Sequence, residues 1–254
     1  MDLNCNPEVA AHLNKSASQK VRLISEDCFG RFGYCLRCSS NRLAPTRANT
    51  VCQDFACPLC GQPYELKSAS RAHTRSVQDG GYESMMECIR SGNAPALMLL
   101  HYSPDWYVRG LIAIHPAFLT PTVVVKRNKP LLRPEPYWMC SLNLSFIPSD
   151  GKIVLVSDGK ALPRVDVRLK YLESVQIGKL PLKERGWASL VLAAVRRIGK
   201  QHITNADLYA QEKILHAAYP NNRHVRPKIR QQMQELERLG YVHRTSRGEY
   251  QVIR

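Results

Sequence analysis

Short apolar runs separated by turn-forming residues occupy the middle of the chain. Four of them are rich in Leu, Ile or Val and only four or five residues long: residues 96–100, 111–114, 122–125 and 153–156. Runs of this length, punctuated by Pro, Gly and Asp, are typical of β-strands. The pattern therefore predicts a mixed β-sheet at the centre of the fold.

Helical patterns surround these runs. The first 30 residues are predicted to be largely helical. A second helix is predicted over residues 79–90, with four apolar side chains on one face: Tyr82, Met85, Met86 and Ile89. Such a face packs on a sheet, so the fold class expected for this part is α/β, or α+β, with a mixed sheet.

From about residue 180 onwards, helical periodicity replaces the strand-like runs. The face of a first helix contains Trp187, Leu190, Val191, Ala194 and Ile198. A second helix begins with a capping-box pattern at Thr204 and Asp207, in which each side chain satisfies a free backbone amide of the first turn. Leu208, Ile214 and Leu215 follow within it.

The rest of the chain predicts a third helix and a hairpin. The helix starts near Arg226 or Pro227 and ends at Gly240, and its apolar face contains Val225, Ile229, Met233, Leu236 and Leu239. Two short strands, residues 241–245 and 249–252, follow it. Three helices and a hairpin make a winged helix, so we divide the chain into domains at residues 1–180 and 181–254.

Charge indicates the partner. The chain has 254 residues and a formal net charge of +15, and residues 181–254 alone contain 14 Lys and Arg against 6 Asp and Glu. A basic balance of this size favours nucleic acid, since no amphipathic basic helix with an aromatic face suggests a membrane surface. No apolar stretch is long enough to span a membrane and no signal peptide is recognisable, so we expect a cytoplasmic protein.

Polar side chains on and before the third helix are candidates for DNA contacts, because Arg reads guanine and Asn or Gln reads adenine in the major groove. They are Asn222, Arg223, His224, Arg226, Lys228, Arg230 and Gln231, with Arg247 at the wing tip as a phosphate contact. A winged helix used for protein contacts, or one whose polar face is merely solvated, remains the alternative.

Four of the nine cysteines have the spacing of a metal site. Cys35 and Cys38 form one C-x-x-C pair and Cys57 and Cys60 form another, with eighteen residues between the pairs. This spacing suits a structural zinc ion held by four thiolates. The other five have no partner at ligand spacing and are expected to be buried, small apolar residues: Cys5, Cys28, Cys52, Cys88 and Cys140.

Acidic residues and one lysine surround the second pair. Glu65 and Lys67 share a face if they lie on a strand, and Asp54, eleven residues earlier, fits the partner strand of a hairpin with Cys57 to Cys60 at its tip. Two carboxylates suit Mg²⁺, and a lysine can orient water and offset charge on phosphate. We interpret Asp54, Glu65 and Lys67 as catalytic, with Asp54 and Glu65 as magnesium ligands. The rival Asp150-Gly151-Lys152 and Asp158-Gly159-Lys160 are interpreted as turns.

Several stretches carry a resemblance that covers nearly the whole chain in order. They are Tyr64-Glu65-Leu66-Lys67-Ser68, Asp79-Gly80-Gly81-Tyr82, Glu184-Arg185-Gly186-Trp187 and Asn221-Asn222-Arg223-His224-Val225. In these the chain resembles the DpnI group of methyl-directed type II restriction endonucleases. The resemblance implies a restriction-endonuclease-like core of the PD-(D/E)xK type, with Asp54, Glu65 and Lys67 in the catalytic positions. It also implies a four-cysteine zinc site and a C-terminal winged helix.

The resemblance further implies cleavage of double-stranded 5'-GATC-3' that carries N6-methyladenine, with Trp138 sensing the methyl groups. We therefore expect a Mg²⁺-dependent endonuclease with structural Zn²⁺, monomeric in solution. The alternative is a zinc-containing winged-helix regulator that binds DNA without cutting it. A nuclease of the same group with another site or methyl preference also remains open.

Overall fold

The computed structural model describes residues 2–48, 50–132 and 134–253. The helices are α1 (Ala17–Phe32), α2 (Tyr82–Arg90), α3 (Arg164–Glu173), α4 (Leu182–Ile198), α5 (Asn205–Tyr209), α6 (Glu212–Ala218) and α7 (Val225–Arg238). The strands are β1 (Ala44–Pro45), β2 (Phe55–Ala56), β3 (Pro63–Ala69), β4 (Ser76–Gly81), β5 (Ala96–Tyr102), β6 (Val108–Ile114), β7 (Val124–Lys126), β8 (Met139–Asn143), β9 (Lys152–Ser157), β10 (Lys160–Ala161), β11 (His202–Thr204), β12 (Val242–Ser246) and β13 (Glu249–Val252).

The main sheet has the strand order β1-β2-β3-β5-β6-β9-β10. The pair β3 and β5 is parallel and the other pairs are antiparallel, so the predicted mixed sheet is confirmed. Both faces of β5 are buried: Leu97 and Leu99 belong to one core cluster, and Met98 and Leu100 to another. Burial on both faces explains why this strand is a continuous apolar run.

A smaller antiparallel sheet, β4-β8-β7, lies beside the main one. It corrects the helix predicted over residues 79–90: Asp79 to Gly81 end strand β4, and helix α2 begins only at Tyr82. Residues 79–81 are extended because β4 pairs with the distant strand β8. The helical face itself is confirmed, since Met85, Met86 and Ile89 are buried as predicted.

The C-terminal part has the predicted winged-helix form, with a wing sheet in the order β11-β13-β12. The capping box at Thr204 and Asp207 is present. The predicted second helix is two helices, α5 and α6, because the chain turns at Ala210 and Gln211. This turn lets Leu208 and Leu215 both reach the core. Strand β11 was not predicted, since it contains a single apolar residue among three.

Helix α4 packs the two parts together. Trp187 stacks on Tyr219 at 4.1 Å between ring centroids, and the Tyr219 hydroxyl lies 2.7 Å from the Thr122 hydroxyl. Arg196 donates two hydrogen bonds, of 2.7 and 2.8 Å, to the carboxylate of Asp150. The apolar core is continuous from one part to the other, so the boundary at residues 180 and 181 stays a prediction.

One expectation about cysteines is wrong. Cys5 and Cys28 are joined by a disulfide rather than lying as separate apolar thiols. Helix α1 brings Cys28 against the N-terminal segment, where the Cys5 amide donates to the Trp106 carbonyl. The two cysteines are 23 residues apart in the sequence, a separation that does not by itself indicate a pair. Cys140 is buried as expected, whereas Cys52 and Cys88 are half-buried. None of the helices in the described ranges has the length and apolar character required to cross a membrane.

Candidate active site, metal centre and nucleic-acid interface

The predicted hairpin is present and joins the first acid to the second. Strands β2 and β3 pair with Phe55 opposite Tyr64, and the Asp54 amide donates to the Tyr64 carbonyl at 2.9 Å. The Asp54 side chain accepts a hydrogen bond of 2.9 Å from the Leu66 amide. Asp54 is therefore held across the ladder from Glu65 and Leu66 by backbone geometry.

Glu65 and Lys67 lie on β3 with one residue between them, so their side chains share a face. Lys67 Nζ lies 2.6 Å from Glu65 Oε1. Burial raises the pKa of Glu65 to about 7; Lys67 opposes the shift, while Asp79 and Asp54 add to it. For Lys67, burial would lower the pKa, but Glu65 and Asp79 outweigh it and hold the ammonium protonated. Two carboxylates, those of Glu65 and Asp79, thus flank the Lys67 ammonium.

An open cleft of about 890 Å³ runs along these residues, and Asp54, Glu65 and Lys67 all line it. The structure therefore brings together the three side chains that the sequence placed in one site. A cleft of this size, lined by charged groups with perturbed pKa values, is a candidate active site.

Three residues that sequence reasoning missed also line the cleft: Arg22, His73 and Asp79. Arg22, from α1, donates to Asp54 Oδ1 at 3.1 Å. His73 has a buried Nε2 without a hydrogen-bond partner among the described residues. Asp79, from β4, lies 2.5 Å from Lys67 Nζ. Its pairing with a lysine on another sheet left no local signal in the sequence.

The donor set fits a divalent cation. Glu65 Oε2 and Asp79 Oδ2 are buried, and neither accepts a hydrogen bond from any described residue. Buried carboxylate oxygens left without donors are costly, and hard oxygen ligands are what Mg²⁺ prefers. The Asp54 oxygens already accept hydrogen bonds from Arg22 and the Leu66 amide, so the pair Asp54 and Glu65 stays a prediction for the magnesium ligands.

The four predicted zinc ligands meet at the tip of the hairpin. All four sulfur atoms of Cys35, Cys38, Cys57 and Cys60 lie within 4.8 Å of one another, with contacts of 3.6 Å for Cys35–Cys60 and 3.5 Å for Cys38–Cys57. A tetrahedral zinc ion with Zn–S bonds of about 2.3 Å separates its sulfur atoms by roughly 3.8 Å. The cluster could hold zinc.

Tyr64 links this cluster to the acidic cleft. Its buried hydroxyl donates to Cys35 Sγ at 3.3 Å and accepts from the Leu36 amide at 2.8 Å. Tyr64 directly precedes Glu65 on β3, so these two bonds connect the cysteine cluster to the strand that carries Glu65 and Lys67. A bond of this kind orients metal ligands without touching the metal.

Comparison with protein families agrees with this geometry. The model of the DpnI, Dam-replacing family matches residues 1–179, and the model of the Dam-replacing HTH domain matches residues 183–252. The chain belongs to the Dam-replacing family. The resemblance expected from the sequence is thereby confirmed, and with it DNA as the partner of the winged helix.

The Dam-replacing HTH domain presents α7 with its apolar face inward, since Val225, Ile229, Met233 and Leu236 are buried. The predicted contact residues divide into two groups. Arg223, His224 and Arg247 are exposed, Arg247 in the turn between β12 and β13. Others are engaged within the protein: Asn222 Oδ1 accepts from the His224 amide, Arg226 pairs with Glu212, Arg230 bonds Tyr209, and Lys228 donates to Gln231.

In the part matched by the Dam-replacing family model, Trp138 immediately precedes β8 and is half-buried. Its carbonyl accepts from the Tyr82 amide at 2.7 Å, and Lys126 Nζ lies 4.5 Å from the centroid of its ring. Since β8 pairs with β4, Trp138 lies on the small sheet that carries Asp79. Its neighbour Tyr137 lines the acidic cleft, whereas Trp138 is not among the residues that line it.

Proposed function

We propose that this chain is a type II restriction endonuclease that uses Mg²⁺ to hydrolyse double-stranded DNA at 5'-GATC-3' containing N6-methyladenine. The observation that carries the proposal is the meeting of Asp54, Glu65 and Lys67 in one cleft of a protein of the Dam-replacing family. The predicted cytoplasmic location and monomeric state stay predictions.

The residues act in complementary ways. Asp54 and Glu65 concentrate negative charge at the edge of β3, which attracts a divalent cation and holds it beside the DNA backbone. Mg²⁺ bound there would supply a Lewis acid for phosphate and water. Lys67, kept protonated by its carboxylate neighbours, orients a water molecule and stabilises charge that grows on the phosphate.

Both parts of the chain contribute to recognition. We propose that Trp138 contacts the methyl group of N6-methyladenine, because its aromatic ring offers an apolar surface to this poorly hydrated group. Burying one methyl contributes only about 0.8 kcal/mol, so contacts to methyl groups on both strands, or by both domains, are needed for strong discrimination. Exposed Arg223 and Arg247 supply contacts outside the cleft.

Zinc has a structural role in this proposal. Cys35, Cys38, Cys57 and Cys60 would complete a tetrahedral site with no open position, which is typical of structural rather than catalytic zinc. The ion would stabilise the hairpin whose other end carries Asp54 and Glu65.

The test is digestion of matched plasmids from a methylating strain and a non-methylating strain, in the presence of Mg²⁺. We expect fragmentation of the methylated plasmid only, at GATC sites identified by sequencing the ends. Intact methylated plasmid that is nevertheless bound by the protein would favour the non-catalytic regulator. Cutting at other sites, or cutting of both plasmids, would contradict the proposed specificity for methylated GATC but support the proposed nuclease activity.

Binding through the wing and recognition helix gives a separate prediction. We expect Arg223→Gln and Arg247→Gln each to weaken DNA binding and to reduce the slope of log affinity against log salt by about 1, because each removes one phosphate neutralisation. Fluorescence anisotropy over a range of salt concentrations measures both effects.

The matched control is Arg238→Gln. Arg238 is also exposed but ends α7, about 20 Å from its first residue at 1.5 Å per residue, and pairs with Glu235. Its replacement should leave the salt slope unchanged. An equal loss in all three variants would show a general charge effect and contradict the assigned face.

A further inference from the structure

Asp79 is the most deeply buried charge in the cleft. Its side chain is 1% exposed, and its carboxylate lies against the Lys67 ammonium. Oδ1 also accepts from the Gly80 amide at 2.7 Å, whereas Oδ2 has no hydrogen-bond donor among the described residues. An ionised carboxylate in such a place is strongly destabilising unless a cation compensates it. Lys67 is the cation that does so.

The backbone is shaped to bring Asp79 there. The register of β4 against β8 shifts between Asp79, which pairs with Cys140, and Gly81, which pairs with Met139. A bulge of this kind bends a strand and redirects a side chain, and bulges are frequent beside active sites. Here the redirected carboxylate lies against a lysine of the other sheet. An aspartate used only to stabilise a turn would not require this burial.

Lys67 therefore lies between two carboxylates, Glu65 on its own strand and Asp79 opposite. Glu65 Oε1 bonds the ammonium, and its buried Oε2 is left for a divalent cation. A cation on the same carboxylate would repel the Lys67 ammonium and weaken its bond to Oε1. Asp79, already bonded by Gly80 and fixed by burial, keeps the ammonium in place.

We propose that Asp79 is the positioning residue for Lys67, holding the ammonium at one point in the cleft while Glu65 binds the cation. The inference rests on the proposed nuclease function and adds a fourth residue to its machinery. Asp79 does not touch DNA in this scheme; it acts through Lys67.

The first test is Asp79→Asn, which keeps the size and the acceptor for Gly80 but removes the charge. We expect the single-turnover rate on methylated DNA to fall on the order of 10²-fold, the effect of misplacing a catalytic group by about 1 Å. The dissociation constant for the same DNA, measured with Ca²⁺ in place of Mg²⁺, should not change. Asp158→Asn is the control, because Asp158-Gly159 repeats the Asp-Gly sequence in an exposed turn.

A thermal double-mutant cycle tests the contact without cleavage. Lys67→Met leaves Asp79 as an unpaired buried charge, so the melting temperature should fall, and adding Asp79→Asn should restore part of it. On the wild-type background Asp79→Asn should instead lower the melting temperature. Additive changes would show that the two side chains do not act as a pair.

The outcomes separate the two claims. If the unmutated chain does not cut methylated DNA, the proposed function fails, and the melting cycle still decides whether Asp79 holds Lys67. If the unmutated chain cuts and Asp79→Asn cuts equally fast, or loses DNA binding and rate together, the positioning role is overturned while the nuclease stands.

Discussion

Glu65→Gln is expected to lower the rate of methylated-DNA cleavage by roughly 10³-fold or more, while leaving DNA affinity nearly intact. Glutamine keeps the shape of the side chain but loses the charge that binds a cation, and metal stabilisation of the transition state is worth several kcal/mol. Single-turnover cleavage with saturating Mg²⁺ measures the rate, and anisotropy with Ca²⁺ measures binding.

The matched control for this prediction is Glu87→Gln. Glu87 is an exposed glutamate on α2 outside the cleft, so the same change in net charge should leave the rate unchanged. A Glu65→Gln protein that cuts as fast as the unmutated chain would remove Glu65 from the catalytic set. A protein that also fails to bind DNA would assign Glu65 to binding or folding instead.

Cys57→Ser is expected to abolish both zinc binding and cleavage. Structural zinc contributes about 10–16 kcal/mol of apparent binding free energy in small zinc-folded peptides, and a lost thiolate leaves the remaining ligands unable to close the site. The hairpin tip would then loosen, and with it the strand that carries Glu65 and Lys67. Metal analysis, thermal melting and plasmid cleavage measure the three consequences.

Cys88→Ser is the control, since Cys88 lies outside the cluster on α2 and should leave zinc content unchanged. A preparation of Cys57→Ser that lacks zinc but cuts methylated DNA at the normal rate would contradict a structural role for the metal.

A milder change separates the metal from the residue that orients its ligand. Tyr64→Phe removes the hydroxyl that bonds Cys35 Sγ and the Leu36 amide, so we expect about 10–100-fold weaker zinc affinity. Tyr34→Phe is its matched control. Tyr34 is equally buried and adjacent to Cys35, but its hydroxyl has no hydrogen-bond partner among the described residues. Equal effects of the two variants would contradict the proposed orienting bond.

Much of the site could be predicted because its parts are local in sequence. Glu65 and Lys67 share a face through the two-residue period of a strand, and Asp54 reaches them across a hairpin whose length the second cysteine pair indicates. The spacing of the two cysteine pairs likewise indicates four ligands for one zinc ion. The apolar face of α7 follows from helical periodicity, and its buried residues confirm it.

Other features had no local signal. The helical spacing of Tyr82, Met85 and Met86 predicts Asp79 at the start of a helix, yet Asp79 lies in strand β4. The spacing of Cys5 and Cys28 predicts separate thiols, although packing of α1 joins them. Among the predicted DNA contacts, Arg226 is exposed but already paired with Glu212 on another helix.

The cysteine cluster, the Asp54–Glu65–Lys67 hairpin, the strands of the mixed sheet and the winged helix could all be predicted from the amino-acid sequence, because spacing and periodicity within short segments indicate each of them. Which remote charges meet depends instead on how the whole molecule packs. Lys67 contacts Asp79 because two sheets lie side by side and a bulge turns one strand. Such contacts depend on burial and loop closure across the whole molecule, and the periodicity of a short segment contains no information about them.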